Sequence, residues 1–263
     1  MLLAVDIGNT NIVVALFDGD EIIQEWRLHS DPNRTADEYN SMVLSFFRNN
    51  GIAQSSIKFG VLSSVVPLLI GPFIRLMENI IGKKPIILGP SIYDKLPVTI
   101  PKSAIHEIGT DLVANSIQAF MEYKQACIVA DFGTALTFTA IDNKGNIQGV
   151  AIAPGIKTAV NSLFNNTAQL PSVPLEVPEN SLGKNTIHSI QAGIILGYKG
   201  LVESLVGQIK NDLSKECGVD TSEIKVIATG GLNSVLKPIT DVFQTVDKQL
   251  TLKGLKRVAD LFC

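Results

Sequence analysis

Short apolar runs broken by turn residues open the chain and predict three consecutive strands. Residues 2–5 are apolar and stop at Asp6, and residues 12–17 are apolar again. Residues 21–28 alternate apolar and polar side chains, which is typical of a half-buried strand. Asp18-Gly19-Asp20 lies between the last two runs and favours a hairpin turn.

The same layout returns in the second half of the chain. Residues 127–130 are apolar and stop at Asp131, which is 125 residues after Asp6 (131 − 6). Residues 136–141 and 147–152 follow as predicted strands, with Asn143-Lys144-Gly145 as their hairpin turn. A repeated unit of this size indicates a duplicated fold. We therefore expect two lobes, residues 1–115 and 116–263.

Strand and helix patterns alternate through the rest of the chain, which predicts an α/β architecture. Predicted strands are 58–65, 85–88 and 224–228, and predicted helices are 35–49, 68–81, 112–123, 187–209, 213–216 and 232–236. Residues 165–184 carry several Asn, Pro and Ser residues, so we expect a mobile loop there.

Composition narrows the function classes. The 263 residues suit two lobes, and the net charge of −3 without a long basic run argues against a nucleic-acid partner. Charged residues make up 18%, which indicates extensive burial or a subunit interface. Cys127, Cys217 and Cys263 have neither disulfide nor metal-ligand spacing, so we expect the reducing cytoplasm. No apolar run is long enough to predict a membrane span.

The first candidate site is the segment Asp6-Ile7-Gly8-Asn9-Thr10-Asn11. Gly8 lets the backbone turn tightly beside a phosphate, and the next three residues offer hydrogen-bond donors. Asp6 at the end of a strand could hold a hydrated Mg²⁺ next to those phosphates. The alternative is an ordinary Asx turn that joins two strands.

Two further turns resemble nucleotide-binding segments. Asp131-Phe132-Gly133-Thr134 repeats the first turn and suits a second phosphate loop. The Asp-Phe-Gly triplet also occurs in protein kinases, but their His-Arg-Asp loop is absent from this sequence. Thr229-Gly230-Gly231 could admit a base or ribose close to the backbone, or could be a glycine-rich helix entry.

Gly109-Thr110-Asp111 begins a predicted helix. A carboxylate there is ionised next to the positive end of the helix dipole and could accept a proton from a substrate hydroxyl. The alternative is a simple helix cap. The sequence has no Walker A loop and no zinc-ligand cluster, and Ser63-Ser64 lacks the nucleophile-elbow motif of a serine hydrolase.

Taken together and in order, these stretches resemble the type III pantothenate kinases of the actin/Hsp70/sugar-kinase superfamily. Further matches lie at 149–155 and at 185–193. The resemblance implies a duplicated ribonuclease-H-like fold with two lobes around a nucleotide cleft. It also implies a cytoplasmic homodimer that uses ATP with Mg²⁺, and K⁺ or NH₄⁺, to phosphorylate pantothenate in the first step of coenzyme A synthesis.

The resemblance also implies residue roles. Asp111 would accept the proton of the pantothenate hydroxyl, and Asp131 would bind the monovalent cation. The ATP contacts would come from Asp6, Ile7, Gly8, Asn9, Thr10, Asn11, Ile12, Val13 and Thr134. The pantothenate contacts would come from Gly109, Thr110, Asp111, Leu112 and Thr186.

The chain departs from the family pattern at three positions. Leu112 stands where arginine is usual, Lys102 where tyrosine is usual, and Ile105 where proline is usual. All three lie around the pantothenate contacts rather than the ATP contacts. Two alternatives therefore stay open beside the pantothenate kinase: a non-catalytic regulator similar to transcriptional accessory factors, and a kinase for another small hydroxylated metabolite. The retained Asp111 favours an enzyme.

Overall fold

Two five-stranded sheets organise the computed structural model, which describes residues 1–166, 171, 173–231 and 233–262. The first sheet contains β1 (Leu2–Ile7), β2 (Asn11–Asp18), β3 (Glu21–His29), β4 (Phe59–Ser64) and β5 (Ile86–Ile87). Its helices are α1 (Ala36–Asn49), α2 (Pro67–Ile81) and α3 (Thr110–Tyr123).

The second sheet contains β6 (Cys127–Phe132), β7 (Ala135–Ile141), β8 (Ile147–Pro154), β9 (Lys225–Gly230) and β10 (Thr245–Val246). The remaining helices are α4 (Ile156–Asn165), α5 (Thr186–Gln191), α6 (Gly197–Cys217), α7 (Asn233–Leu236) and α8 (Leu250–Phe262).

The two sheets have the same topology. The strand orders are β3-β2-β1-β4-β5 and, in the same sense, β8-β7-β6-β9-β10. In each sheet the first three strands form an antiparallel meander, and the next strand returns parallel to the first. The duplicated α/β fold expected from the sequence is therefore confirmed.

The chain divides into two compact units. Unit 1 is Met1–Met121 with Leu250–Cys263, and unit 2 is Glu122–Gln249. The expected boundary at 115/116 falls inside α3, which continues as one helix beyond it. The expected lobes also differ from the units because α8 packs on β1 and β4 of unit 1 rather than with the residues that precede it.

Unit 1 has an apolar core between its sheet and the helices α1 and α2. The alternate residues Leu3, Val5 and Ile7 of β1 face Tyr39, Val43 and Phe47 of α1 in this core. The intervening residues Leu2 and Ala4 are also buried. Both sides of β1 are thus covered, which explains why this strand is a continuous apolar run rather than an alternating one.

Unit 2 buries one face of its sheet in a core that includes α6. Ile128 and Ala130 of β6 pack in one cluster with Val202 and Val206 of α6. The helix predicted at 187–209 begins at Thr186, passes through a single π turn at Ala192–Leu196 and continues to Cys217. This one long element replaces the two helices expected from the sequence.

Within the predicted mobile loop, residue 171 and residues 173–184 belong to neither a helix nor a strand. Residues 167–170 and 172 of that prediction lie outside the described residues, as does Leu232 of the predicted helix 232–236. Among the described residues, no helix combines the length and the apolar character that a bilayer span requires.

Helix α8 was not expected, and one glycine fixes how closely it packs on α3. A Cβ atom at Gly254 would clash with the backbone of Ala114. We expect Gly254→Ala to lower the free energy of unfolding by about 1–3 kcal/mol, because the two helices must move apart. Gly207→Ala on α6 is the matched control: its Cβ meets no atom within 4 Å, so the gain in helix propensity should stabilise by roughly 0.5–1 kcal/mol. Urea denaturation measures both, and equal effects of the two changes would contradict the packing.

Candidate active site

The first predicted phosphate loop is the tight turn between β1 and β2. The Gly8 N–H donates to the Asn11 carbonyl oxygen at 2.9 Å. A Cβ atom on residue 8 would lie 3.2 Å from that oxygen, closer than such atoms normally approach. Asn9 and Thr10 are exposed at the tip of the turn. The turn thus exposes the polar residues Asn9 and Thr10 to solvent. A side chain at position 8 would strain its backbone.

The flanking residues of this loop belong to the hydrophobic core. Ile7 and Ile12 are fully buried, and Val13 is half-buried on β2. The side chains of Ile7 and Ile12 are therefore not available to a nucleotide at the turn, and any ATP contact of these two residues would come from backbone groups.

Asp6 is connected to the Gly109–Asp111 turn by hydrogen bonds. It pairs in register with Ser63 on the parallel neighbour β4, and the Ser63 hydroxyl donates to Asp6 Oδ1 at 2.8 Å. Ser63 Oγ also lies 2.9 Å from Thr110 Oγ1. The Ser64 N–H donates to the same Thr110 oxygen at 3.1 Å. The structure therefore brings together two segments that lie about one hundred residues apart in the sequence.

Asp111 occupies the second position of α3. Its Oδ1 accepts a hydrogen bond from the Leu112 N–H at 2.9 Å. Burial raises the pKa of Asp111 above its ordinary value, and the backbone hydrogen bonds from Leu112 and from its own N–H oppose that rise only in part. Because a higher pKa means a more basic carboxylate, the environment suits a proton acceptor.

Glycine at position 109 leaves room for the Asp111 side chain in the same turn. A Cβ atom there would collide with Asp111 Oδ1 and would lie 3.5 Å from Val65 Cγ1. The Gly109 carbonyl accepts from the Val113 N–H at 3.2 Å and begins the helical pattern. The space that a side chain would fill is thus used by the Asp111 carboxylate itself.

The surroundings of Asp111 include a tyrosine that sequence reasoning missed. Tyr93 is buried, and its pKa is raised mainly by burial and further by the negative charge of Asp111. Leu112, which stands where the family usually has arginine, is only 8% exposed. Lys102 is exposed in a short 3₁₀ helix. The charge of Asp111 thus acts on the Tyr93 hydroxyl, and the next residue of α3, Leu112, is apolar.

The second predicted phosphate loop is the turn between β6 and β7. The Gly133 N–H donates to the Ala135 carbonyl at 3.0 Å. The Thr134 carbonyl accepts from the Gly155 N–H at 3.0 Å and from Thr158 Oγ1 at 2.7 Å. These bonds hold the loop against the start of α4 and leave the Thr134 residue exposed.

Asp131 lies beside the glycine segment at the end of β9. It pairs in register with Thr229, as Asp6 does with Ser63 in unit 1. Gly230 has a φ of +83°, and a Cβ there would lie 2.6 Å from Phe132 O and 2.7 Å from Asp131 Oδ1. A carbonyl and a carboxylate oxygen therefore approach the Gly230 backbone so closely that no side chain fits between them. Carboxylate and carbonyl oxygens are the ligand types that hard cations prefer.

Thr186 lines an open cavity of about 520 Å³ in unit 2. The walls combine apolar side chains of Leu163, Ile190 and Ile194 with the polar residues Lys184 and Ser189. The π turn between α5 and α6 contributes to this wall, and such turns often occur at functional sites. Asp131 and Thr134 are not among the lining residues.

Metal ligands are sparse in the part of the chain that the structure describes. No group of three or more His, Cys, Asp or Glu side chains is arranged to hold an ion there. In kinases Mg²⁺ is usually bound through one or two carboxylates, water and substrate phosphates rather than in a protein cage. The carboxylate beside the first turn is that of Asp6.

Comparison with known proteins assigns the chain to a family. The sequence model described as type III pantothenate kinase matches residues 2–208. The chain belongs to the type III pantothenate kinase family. It is 40% identical to a type III pantothenate kinase of Treponema pallidum (strain Nichols) over 99% of this chain and 94% of that protein. A Geobacter sulfurreducens member is 38% identical over 97% of each chain.

Solved structures support the same fold at lower identity. A Campylobacter jejuni protein assigned to the Baf family of transcriptional activators aligns with a TM-score of 0.59 and 19% identity, covering 98% of this chain and 97% of that chain. The activator of the 2-hydroxyisocaproyl-CoA dehydratase from Clostridium difficile aligns with a TM-score of 0.50 and 13% identity, covering 99% and 93%. At these identities the likeness shows the fold alone.

In this pantothenate kinase family member, Ser63 and Tyr93 are the residues linked to the candidate site that sequence reasoning did not name. A sequence signal for Ser63 exists: a polar pair ends an apolar strand, and polar residues at the carboxyl ends of parallel strands commonly face ligands. Tyr93 has no comparable signal, because its segment is irregular and precedes Asp111 by eighteen residues (111 − 93).

The environment of Asp111 predicts how its loss affects catalysis. Asparagine retains an acceptor for the Leu112 N–H and removes a buried charge, so Asp111→Asn should fold with unchanged or higher stability. It cannot accept a proton, so kcat should fall by roughly 10²–10⁴. In the parent enzyme, the rate should decline on the acid side at a pH above the ordinary aspartate range, because the raised pKa protonates Asp111 earlier.

Steady-state rates between pH 4 and 9 with thermal unfolding of both proteins test this. Asp37→Asn is the matched control, because Asp37 also lies in the first turn of a helix but is exposed on α1. It should keep the parental rate within about twofold. An Asp111→Asn enzyme with kcat within a few-fold of the parent would show that Asp111 is only a helix cap.

Proposed function

We propose that this chain transfers the γ-phosphoryl group of ATP to the primary hydroxyl of pantothenate. The product is 4′-phosphopantothenate, and the reaction is the first step of coenzyme A synthesis. Family membership over nearly the whole chain carries this assignment. The buried carboxylate of Asp111 at the Gly109–Asp111 turn supplies the chemical group that the reaction needs.

The nucleotide phosphates and Mg²⁺ are assigned to the first turn. Asp6 provides one oxygen ligand at a strand end, and the backbone and side chains of Gly8–Asn11 provide donors. Phosphoryl transfer needs positioning and charge neutralisation more than covalent help from the protein. The exposed Thr134 on the second turn is assigned to ATP as well.

Asp111 is assigned as the proton acceptor for the pantothenate hydroxyl. Its raised pKa makes it a better acceptor than an ordinary aspartate, and its hydrogen bond from Leu112 fixes the carboxylate. Gly109, Thr110 and Leu112 form the remainder of this substrate turn. Because Leu112 carries no charge, it offers pantothenate an apolar contact where other members offer a cation.

Thr186 is assigned to pantothenate through the cavity that it lines. Pantothenate combines an apolar middle with hydroxyl, amide and carboxylate groups, and the cavity combines apolar walls with Lys184, Asn185 and Ser189. A cavity of this size is typical of small-molecule sites. Lys184 provides a positive charge toward which a substrate carboxylate could turn.

A monovalent cation, K⁺ or NH₄⁺, is assigned to Asp131. The support is that a carboxylate and a carbonyl oxygen, Asp131 Oδ1 and Phe132 O, lie close together beside Gly230. A bound cation there would add positive charge beside the second phosphate loop. The residues present fit such an ion, since hard cations prefer carboxylate and carbonyl oxygens.

A homodimer is also part of the proposal. Edge strands normally carry charges that prevent pairing with other chains. The edge strand β3 follows this rule with Glu21, Glu25 and Arg27, whereas residues 147–156, which include β8, contain no charged side chain. Ile152 on β8 is 71% exposed. This surface favours burial against a second copy.

The cytoplasmic location expected from the cysteines stays a prediction.

The assignment of substrate can be tested directly. Purified protein with ATP, Mg²⁺ and K⁺ should convert pantothenate to phosphopantothenate, detected by mass spectrometry, and should do so faster than it phosphorylates other small alcohols. Turnover of another alcohol but not of pantothenate would overturn the substrate and leave a kinase. The absence of ATP turnover with every alcohol would favour the regulatory alternative.

The cation proposal predicts a specific ion dependence. Replacing K⁺ by Na⁺ at constant ionic strength should lower kcat by roughly tenfold or more, equivalent to about 1.4 kcal/mol of transition-state stabilisation. Asp131→Asn should be slow in both ions, because the carboxylate ligand is gone. Equal parental rates in Na⁺ and K⁺ would contradict an ion at Asp131.

A further inference from the structure

Ser63 is a buried hydroxyl in a strand whose preceding residues are apolar. It follows Val61 and Leu62 on β4 and is 0% exposed. Strand interiors favour β-branched and aromatic residues, and a buried hydroxyl costs free energy unless it is hydrogen-bonded. Ser63 Oγ has two partners, Asp6 Oδ1 at 2.8 Å and Thr110 Oγ1 at 2.9 Å.

The directions of these hydrogen bonds follow from counting protons. A serine hydroxyl has one proton, and the Ser63 hydroxyl donates it to Asp6 Oδ1. Ser63 Oγ must then accept the proton of Thr110 Oγ1. Thr110 Oγ1 in turn accepts from the Ser64 N–H at 3.1 Å.

The result is a chain of three hydrogen bonds that all point toward the Asp6 carboxylate. Donors arranged in series polarise one another, and a negative acceptor at the end strengthens each of them. This series of hydrogen bonds starts at the Ser64 N–H of β4, passes through Thr110, the first residue of α3, and then through Ser63. It ends at Asp6, near the end of β1.

Thr110 is the covalent neighbour of Asp111, so the chain also fixes the turn that carries the proposed base. On its other side the Asp111 carboxylate occupies the space that a side chain at position 109 would need. Among the described contacts, the hydroxyls of Ser63 and Thr110 connect the side chain of Asp6 to this turn.

We propose that Ser63 is a positioning residue that holds the Asp6 carboxylate toward the nucleotide metal and ties it to the Asp111 turn. The inference rests on the proposed function, because it takes Asp6 as the metal ligand and Asp111 as the base. Ser63 itself touches neither substrate. Its loss should therefore act through the other two residues, on metal dependence and on kcat together.

The test variant is Ser63→Ala, which removes the hydroxyl without adding volume. The expected kcat is roughly 10- to 100-fold lower, as for the loss of a hydrogen bond to a charged group. The half-saturating Mg²⁺ concentration and the MgATP dissociation constant from calorimetry should rise by roughly tenfold. The kcat and the half-saturating Mg²⁺ concentration are measured from pantothenate turnover. The MgATP dissociation constant is measured by calorimetry, which requires no turnover.

Ser116→Ala is the matched control. Ser116 is also 0% exposed in unit 1, and its hydroxyl donates to the Leu112 carbonyl at 2.7 Å, outside the chain that ends at Asp6. It should leave the Mg²⁺ dependence unchanged. Ser63→Thr keeps the hydroxyl and should restore most of the Mg²⁺ affinity. Such a recovery would not be expected if Ser63→Ala acted only by lowering the stability of the fold.

Two results would overturn the proposal: Ser63→Ala with kcat and Mg²⁺ dependence within threefold of the parent, or identical shifts in Ser63→Ala and Ser116→Ala. If Ser63→Ala does not fold, Thr110→Val removes the donor to Ser63 Oγ and should raise the MgATP dissociation constant in the same direction but by less, because the Ser63–Asp6 hydrogen bond remains; an unchanged constant would overturn the proposal. A parent that binds MgATP but does not phosphorylate pantothenate would contradict the proposed function, while the calorimetric comparison would still decide the role of Ser63.

Discussion

The parallel pairing of β1 with β4 is the constraint on which the candidate site depends. It sets Asp6 in register with Ser63, and a short hydrogen bond joins them. Parallel strands end at the same edge of a sheet, so the polar residues that follow each apolar run meet there. Thr110 then attaches the start of α3 to this edge. The carboxylate proposed for the metal and the turn proposed for the base are thus held by one small buried network.

Duplication gives unit 2 the same frame, but its polar residues differ. Asp131 stands in register with Thr229 as Asp6 stands with Ser63. In unit 2 Gly230 follows with a positive φ, and its backbone packs closely beside Asp131 Oδ1 and Phe132 O. In unit 1 the corresponding carboxylate accepts a hydrogen bond from the Ser63 hydroxyl. The same topology therefore supports a cation-binding proposal in one unit and a positioning network in the other.

The sequence predicted the duplicated fold because apolar runs, turn residues and the repeated aspartates are local signals. Asp6 and Asp111 could also be named as candidate site residues from their strand-end and helix-start positions. The polar pair Ser63-Ser64 at the end of an apolar strand is a weaker signal, and only the strand register shows that Ser63 pairs with Asp6. Tyr93 could not be named, because its link to Asp111 arises from burial between segments that are distant in sequence. Helix α8 shows the same limit: Leu252, Leu255 and Ala259 recur at helical spacing, but only tertiary packing on β1 and β4 places the helix in unit 1.

A double-mutant cycle on the two hydroxyls of the network is the most direct measurement of the coupling between Asp6 and the Asp111 turn. MgATP binding and kcat would be measured for the parent, Ser63→Ala, Thr110→Val and the double variant. If the hydroxyls act as one chain, the second substitution adds little, and the coupling energy should be about 1 kcal/mol or more. Effects that add to within about 0.3–0.5 kcal/mol would show that the two hydroxyls act independently and would contradict a connected network.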